Sequence, residues 1–196
     1  MKKSLGLGLV GAAVALLASA SASATVMIEY SLEDLVTGAD AIVHATVVRN
    51  GVRMSVDDDS MVPETITTLR VHEWIAGPGG DEVQIRELGG QWQDRGLRYD
   101  GTPTYAVGDE VVLFLERRDE APYDLRTFGM VQGKFLVRHG LGGVPTTVRR
   151  DLAGIAFAHW TDGRQTVNDP GAQPAMQLDG FLDYVRQVRR EFGGGR

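Results

Sequence analysis

The chain has 196 residues, 43% hydrophobic and 23% charged, with a formal net charge of −6, the balance of a globular domain rather than of a disordered or fibrous chain. It contains no cysteine, which excludes disulfide scaffolds, cysteine-ligated zinc, iron–sulfur clusters, thiol catalysis and a lipoprotein anchor. Its acidic balance argues against nucleic acid as a partner, because phosphate binding relies on clustered Lys and Arg.

Lys2 and Lys3, the apolar stretch 5–17 and the Ala/Ser alternation of 18–24 have the layout of a secretory signal peptide. An N-terminal membrane anchor is the alternative. The apolar core is shorter than the roughly 20 residues that a spanning helix needs, and no second run of that length follows, so no stable membrane insertion is expected after cleavage. Ala22-Ser23-Ala24 fits the small-x-small cleavage rule, as does Ala20-Ser21-Ala22, so the mature chain is expected to begin near Thr25. Removal of Lys2 and Lys3 makes the net charge two units more negative. The Arg149-Arg150 and Arg189-Arg190 pairs read as solvated surface.

Ser31-Leu32-Glu33-Asp34 resembles a capping box, with Asp in place of Glu, and predicts a short helix over 32–37 that Gly38 can end. In residues 41–49, Val43, Ala45 and Val47 share one face at period two, with His44 on the other, which predicts a half-buried strand. A polar stretch containing Asp57-Asp58-Asp59 and Pro63 separates it from a second strand, 65–75, where Leu69, Val71 and Ile75 fall on one side. Residues 76–80, Ala-Gly-Pro-Gly-Gly, break that strand. Val83 and Ile85 mark a short third strand. Segment 89–109 is the longest irregular stretch, and Val111-Val112-Leu113-Phe114-Leu115 predicts a strand covered on both faces. Strands follow over 125–131 and 134–138, with Gly129 and Gly133 as sites of bulge or curvature, and a hairpin loop at 140–143 leads into 144–150. Residues 168–178 contain Pro170, Gly171 and Pro174 and read as a linker. The stripe Leu178, Phe181, Leu182, Val185, Val188 and Phe192 predicts an amphipathic helix over 179–192, with Asp179 as N-cap and arginines near its C-terminal end. A membrane-surface helix is the alternative for this stripe. Residues 193–196 read as a frayed terminus. The 25 glycines, against a usual share of ~7%, fit short, curved strands.

Motifs for chemistry are absent. His44, His72, His139 and His159 are scattered without H-E-x-x-H or i,i+4 pairing, there is no G-x-S-x-G, and 77–80 lacks the Lys-Ser/Thr of a phosphate loop. Asp57-Asp58-Asp59 lacks the glycine and distal glutamate of an EF-hand loop. No metal site, cofactor or catalytic residue is expected. Segment 89–109 carries the functional signal. Loops this long tend to be binding elements, and Trp92, Arg95, Arg98, Tyr99 and Tyr105 are residue types favoured at recognition surfaces. The alternative is that Trp92 and Tyr105 fold back to plug one end of a barrel.

Several blocks occur in order: Ser31-Leu32-Glu33-Asp34-Leu35-Val36 with Ala39-Asp40-Ala41-Ile42-Val43; Leu69-Arg70-Val71-His72-Glu73 ending in Gly77-Pro78; Gly101-Thr102-Pro103; Val107-Gly108-Asp109-Glu110 with the apolar run after it; and Gly129-Met130-Val131-Gln132-Gly133-Lys134-Phe135. Together with the terminal helix they resemble a functionally uncharacterised group of secreted bacterial domains. A more distant similarity is to the netrin-like domains of metalloproteinase inhibitors, which set a short helix, an alanine-aspartate pair, an aliphatic strand and a long strand ending in a glycine turn on an OB-type barrel. Ala39-Asp40, Ile42-Val43 and 75–77 fill those places. The resemblance implies a small OB-like (netrin-like) barrel over 25–167 with a short N-terminal helix and a packed C-terminal helix. Those inhibitors place an N-terminal cysteine amine on the catalytic zinc; with Thr25 and no cysteine, that mechanism does not carry over. The expectation is an exported, mainly β, non-catalytic binding module, periplasmic or extracellular, that uses the 89–109 segment. An inhibitor or partner of a secreted metalloprotease is the alternative.

Overall fold

A computed structural model of the chain describes residues 25–57, 60–118, 124–171 and 173–193. The expected signal peptide, Asp58 and Asp59 of the acidic stretch, and residues 194–196 of the expected terminus lie outside the described residues. The fold is mainly β. In chain order it comprises β1 (Thr25–Ile28), α1 (Leu32–Gly38), β2 (Ala41–Asp57), β3 (Ser60–Ala76), β4 (Glu82–Leu88), β5 (Gly90–Trp92), β6 (Arg95–Leu97), β7 (Glu110–Arg117) and β8 (Leu125–Thr127). A 3-10 turn (Met130–Gly133) then leads to β9 (Lys134–Arg138), β10 (Thr147–Arg150), β11 (Ile155–Thr161), β12 (Arg164–Asn168), β13 (Met176–Gln177) and α2 (Leu178–Phe192).

The expected capping box forms. Ser31 Oγ accepts from the Asp34 N–H at 3.1 Å, and Asp34 Oδ2 accepts from the Ser31 N–H at 2.9 Å, satisfying two orphan donors of the first turn. These Ser31 bonds hold the Asp34 carboxyl below its usual range. Contrary to the expectation, the polar stretch around residue 57 does not separate two shorter strands. Strands β2 and β3 are 17 residues each, and their ladder runs on through Arg53↔Glu64 and Met54↔Pro63 to Asp57↔Ser60. The outer half of this hairpin lacks a continuous buried face: Val52 and Met54 are half-buried and Val56 is exposed. Pro63 is tolerated where the β4 ladder stops; its carbonyl accepts from the Gly89 N–H at 2.8 Å.

Irregularities in the β2–β3 ladder also change which face a residue takes. Ile42 pairs with Ala76 and Val43 with Trp74, so Ile75 is an extra residue in β3. Ile75 therefore packs with the helices, whereas Val71 packs on the opposite core; the single face expected for Leu69, Val71 and Ile75 is divided.

The largest sheet has the order β13-β10-β9-β7-β2-β3-β4-β8, and β8 also pairs with β7. Five strands thus follow one another through β7, β2, β3, β4 and β8, with β8 parallel to β4 at Ile85↔Leu125 and antiparallel to β7. The apolar run of β7 is buried on both faces, as expected. Val112 and Phe114 join Ile42, Phe135, Val148 and the helices, while Val111, Leu113 and Leu115 join Val43, Ala45, Val47, Leu69 and Ile85.

Helix α2 buries Leu178, Phe181, Leu182, Val185 and Val188 on the first of these cores, with Phe181 and Phe135 ring centroids 4.8 Å apart. Arg189 donates to the carbonyls of Val36 and Ala39, both at 3.0 Å, tying α2 to the end of α1. Gln177, not Asp179, is the N-cap, and Asp179 lies in the first turn. The expected linker ends in β13, which pairs with β10. The β11–β12 hairpin, unmarked by sequence pattern, forms a separate sheet in which β1 runs parallel to β11. Strand β12 is exposed along its whole length, so it carries no burial periodicity.

Gln132, fully buried, clamps the start of the described chain to this frame. Its Oε1 accepts from the Tyr30 N–H at 2.8 Å, and its Nε2 donates to the Ile28 carbonyl at 3.0 Å. Replacing it with leucine of similar volume strands two backbone groups. Gln132→Leu is expected to cost about 2 kcal/mol in urea unfolding, and an unchanged midpoint would show that the clamp is not needed.

Candidate functional site

Segment 89–109 opens with two glycines at positive φ, Gly89 (+99°) and Gly90 (+136°). A Cβ on Gly89 would lie 2.8 Å from the Leu97 carbonyl oxygen, and one on Gly90 would lie 2.8 Å from Thr65 Oγ1, so both positions accept only the bare backbone. This close approach folds the β5–β6 hairpin back beside β3 and leaves a half-open cavity of about 360 Å³ between it and the strands. That volume is at the small-molecule scale. Val52, Leu88, Leu97, Tyr99, Pro103 and Tyr105 supply apolar or aromatic wall, Arg98 also lines the cavity, and Glu87 contributes a carboxyl.

Glu87 is the unexpected member. Strand β4 alternates so that Val83, Ile85 and Glu87 point inward, and Glu87 is 5% exposed. Its Oε1 accepts from the Thr127 N–H at 2.9 Å and the Thr127 hydroxyl at 2.6 Å. The Tyr105 hydroxyl lies 2.5 Å from Thr127 Oγ1. Since the threonine proton goes to Glu87, the tyrosine donates, which gives a directed chain from Tyr105 to Thr127 to Glu87. Burial pushes the Glu87 carboxyl up to about 7, against the pull of the Thr127 bonds and of Arg126 and Arg118. Burial, reinforced by the Glu87 charge, pushes the Tyr105 phenol well above its ordinary value.

The surrounding charges are committed elsewhere. Arg118 and Arg53 bind Glu64 at 2.8 and 3.4 Å, Arg126 binds Glu116 at 2.6 Å, and Arg86 binds Asp124 at 3.2 Å. On the other side of the segment, the Lys134 ammonium lies 4.7 Å from the centre of the Tyr105 ring and donates to the Thr104 carbonyl. Burial lowers the Lys134 pKa.

Of the five residues expected to form the site, Arg98, Tyr99 and Tyr105 line the cavity. Tyr105 also packs against the inner core, so it combines a wall with part of the expected plug. Trp92 does not plug anything: it ends β5, exposed, opposite Arg95 on β6, away from the cavity lining. Sequence reasoning missed Glu87 and Thr127. The signal was present in Val83-Gln84-Ile85-Arg86-Glu87, whose period-two continuation puts a carboxylate on the core face.

A second polar cluster lies across β2, β3, β7 and the end of β9. His44 and His139 each place Nε2 2.7 Å from Glu110, at Oε1 and Oε2 respectively, and the His72 ring lies 5.0 Å from that of His44. Burial pushes the Glu110 carboxyl up, but the bonds from His139 and His44 outweigh it and hold it below the usual range. The two imidazoles take different oxygens and make a bridged pair. Among the described residues no group of three or more His, Asp or Glu is placed to hold a metal ion. Among them, too, no helix is long and apolar enough to cross a membrane.

In comparisons with known proteins, no family model and no curated protein matches the chain.

Glu87 binds its proton more tightly in the folded chain than in the unfolded one. Its contribution to stability is therefore greatest below about 4.5, falls as pH rises to about 7, and is flat above that. Glu87→Gln keeps the acceptor for Thr127 and removes the ionisation. The variant is expected to gain on the wild type across this window, by up to about 3 kcal/mol at pH 8; parallel stability curves at pH 5 and pH 8 would refute the assignment.

Proposed function

We propose that the chain is an exported, non-catalytic binding module on an OB-like barrel, and that it binds a small ligand in the cavity beneath segment 89–109. One observation carries the reading: a long segment that folds back beside the strands leaves a half-open pocket of small-molecule size with a buried carboxyl in its lining, rather than packing flat on them. The OB-like part is supported by the five successive pairings β7-β2-β3-β4-β8-β7, one of them parallel, since an OB fold is a five-stranded, partly open barrel. Export rests on the signal-peptide pattern of residues 1–24.

Binding is preferred to catalysis because no second titrating group is placed beside Glu87, among the described residues, to act with it on one substrate atom. Next to Glu87, the Thr127 hydroxyl is committed to it and the Tyr105 phenol holds its proton. Nothing in the geometry of Thr25, whose strand pairs with residues 155–158, favours the alternative of a secreted metalloprotease as partner.

Native mass spectrometry of the purified protein, incubated with the small-molecule fraction of an exported-compartment extract, tests the reading. A bound species is expected that Tyr99→Ala weakens at least about tenfold, the scale of one lost aromatic wall. Absence of any bound species, or one indifferent to Tyr99→Ala, would overturn it.

A further inference from the structure

The Glu87 carboxyl is asymmetric in its bonding. Oε1 is saturated by two donors from Thr127, whereas Oε2 takes no hydrogen bond from any described residue, although the side chain is more than nine-tenths buried and lines the cavity. Glu87 borders both this cavity and a second pocket lined by Glu116, Arg118, Arg126 and Thr127. A buried carboxyl with an open oxygen stays neutral or recruits a donor, and a cationic donor stabilises its charged form most.

The titratable and charged groups facing it define that donor. Arg86 on β4, Arg118 after β7 and Arg126 on β8 are neutralised by Asp124, Glu64 and Glu116. From segment 89–109 come the Tyr105 phenol, which donates to Thr127, and Arg98, which is exposed and has no ion-pair partner among the described residues. The cavity therefore has an acid beside aromatic and aliphatic walls and one uncompensated cation at its lining. That charge disfavours a polyamine, while the walls Leu97, Tyr99, Pro103 and Tyr105 suit an apolar body.

We propose that the cavity binds a small monoamine with an aromatic or aliphatic body, its ammonium group donating to Glu87 Oε2 and its body lying between Tyr99 and Tyr105. The proposal rests on the reading of this cavity as a ligand site and names the chemistry of its ligand. Ion pairing draws Glu87 into its charged form, so amine binding below neutral pH expels the carboxyl proton.

Calorimetry with phenethylamine and its neutral near-isostere 2-phenylethanol tests this on the full protein. At pH 8 the amine is expected to bind at least about tenfold more tightly than the alcohol, and Glu87→Gln, which conserves the Thr127 bonds, is expected to erase the difference. Titration in buffers of different ionisation enthalpy is expected to detect close to one proton released per amine at pH 6 and close to none at pH 8.5. Equal affinity for amine and alcohol, an unaltered Glu87→Gln, or no proton release at pH 6 would each overturn the proposal. Binding of the alcohol alone would overturn the ammonium assignment while leaving the cavity as a ligand site. Binding of neither would overturn it for amines, and the cavity reading then falls only if native mass spectrometry also finds no bound species.

Discussion

Strand β7 has to be buried on both faces and paired on both edges at once, and the rest of the architecture follows from that requirement. Five consecutive apolar side chains, Val111 to Leu115, are fully buried, each contributing on the order of 1.5–3 kcal/mol of transfer free energy. No single layer can cover them. The even residues need the helices, and the odd residues need the inner faces of β2, β3 and β4. One edge is taken by β2. The other is shared: β9 pairs with residues 111–113 and β8 with 115–117. The chain between β8 and β9 must therefore leave and rejoin the same edge within a few residues. It does so through Gly129 at φ +67° and the 3-10 turn ending at Gly133, where a Cβ would stand 2.1 Å from the Phe128 carbonyl oxygen. Only glycine fits there.

This split edge creates the site. β8 stays paired with β7 over all three of its residues and meets β4 along its other edge at Leu125, and that contact sets Thr127 against Glu87. The same turn buries Gln132 and fastens β1 and α1. Distortion of the turn would thus act on the cavity and on the amino-terminal elements together, although the two lie on different cores.

The parts that were legible in the sequence are those in which a local rule and the tertiary structure agree. Ser31 and Asp34 cap α1 through their own side chains, Val111 to Leu115 are apolar because both faces are covered, and the α2 stripe is apolar because one face is covered. The outer part of the β2–β3 hairpin and β12 were illegible for the opposite reason. Their pairing is made by backbone groups: the acidic stretch and Pro63 interrupt the pattern of the β2–β3 hairpin, and every residue of β12 is exposed, so no buried face is there to read. Of the site, the aromatic segment could be anticipated from residue type, whereas Glu87 required the inward face of the strand to be extended by two residues past Ile85. Thr127 required a pairing between distant strands that no local pattern specifies.

Three acids on the strands illustrate how this fold treats a carboxylate removed from water. Glu64 meets two arginines; burial pushes its carboxyl up, but Arg118, Ser55 and Arg53 together outweigh it and hold the pKa below the ordinary value. Glu110 meets two histidines, with the same sign. Glu87 meets only hydroxyl and amide donors, and there burial wins. Arginine is not scarce nearby, since Arg118 and Arg126 both approach Glu87, yet each is bound to another acid. A purely structural position would be served better by glutamine, which keeps the Thr127 bonds without a charge to desolvate, or by valine or leucine, which would continue the Val83 and Ile85 face. The carboxyl at 87 is thus the costly choice at a core-facing position, and it borders the cavity. Retaining a titrating acid there makes physical sense when its open oxygen has a use that a neutral amide cannot serve.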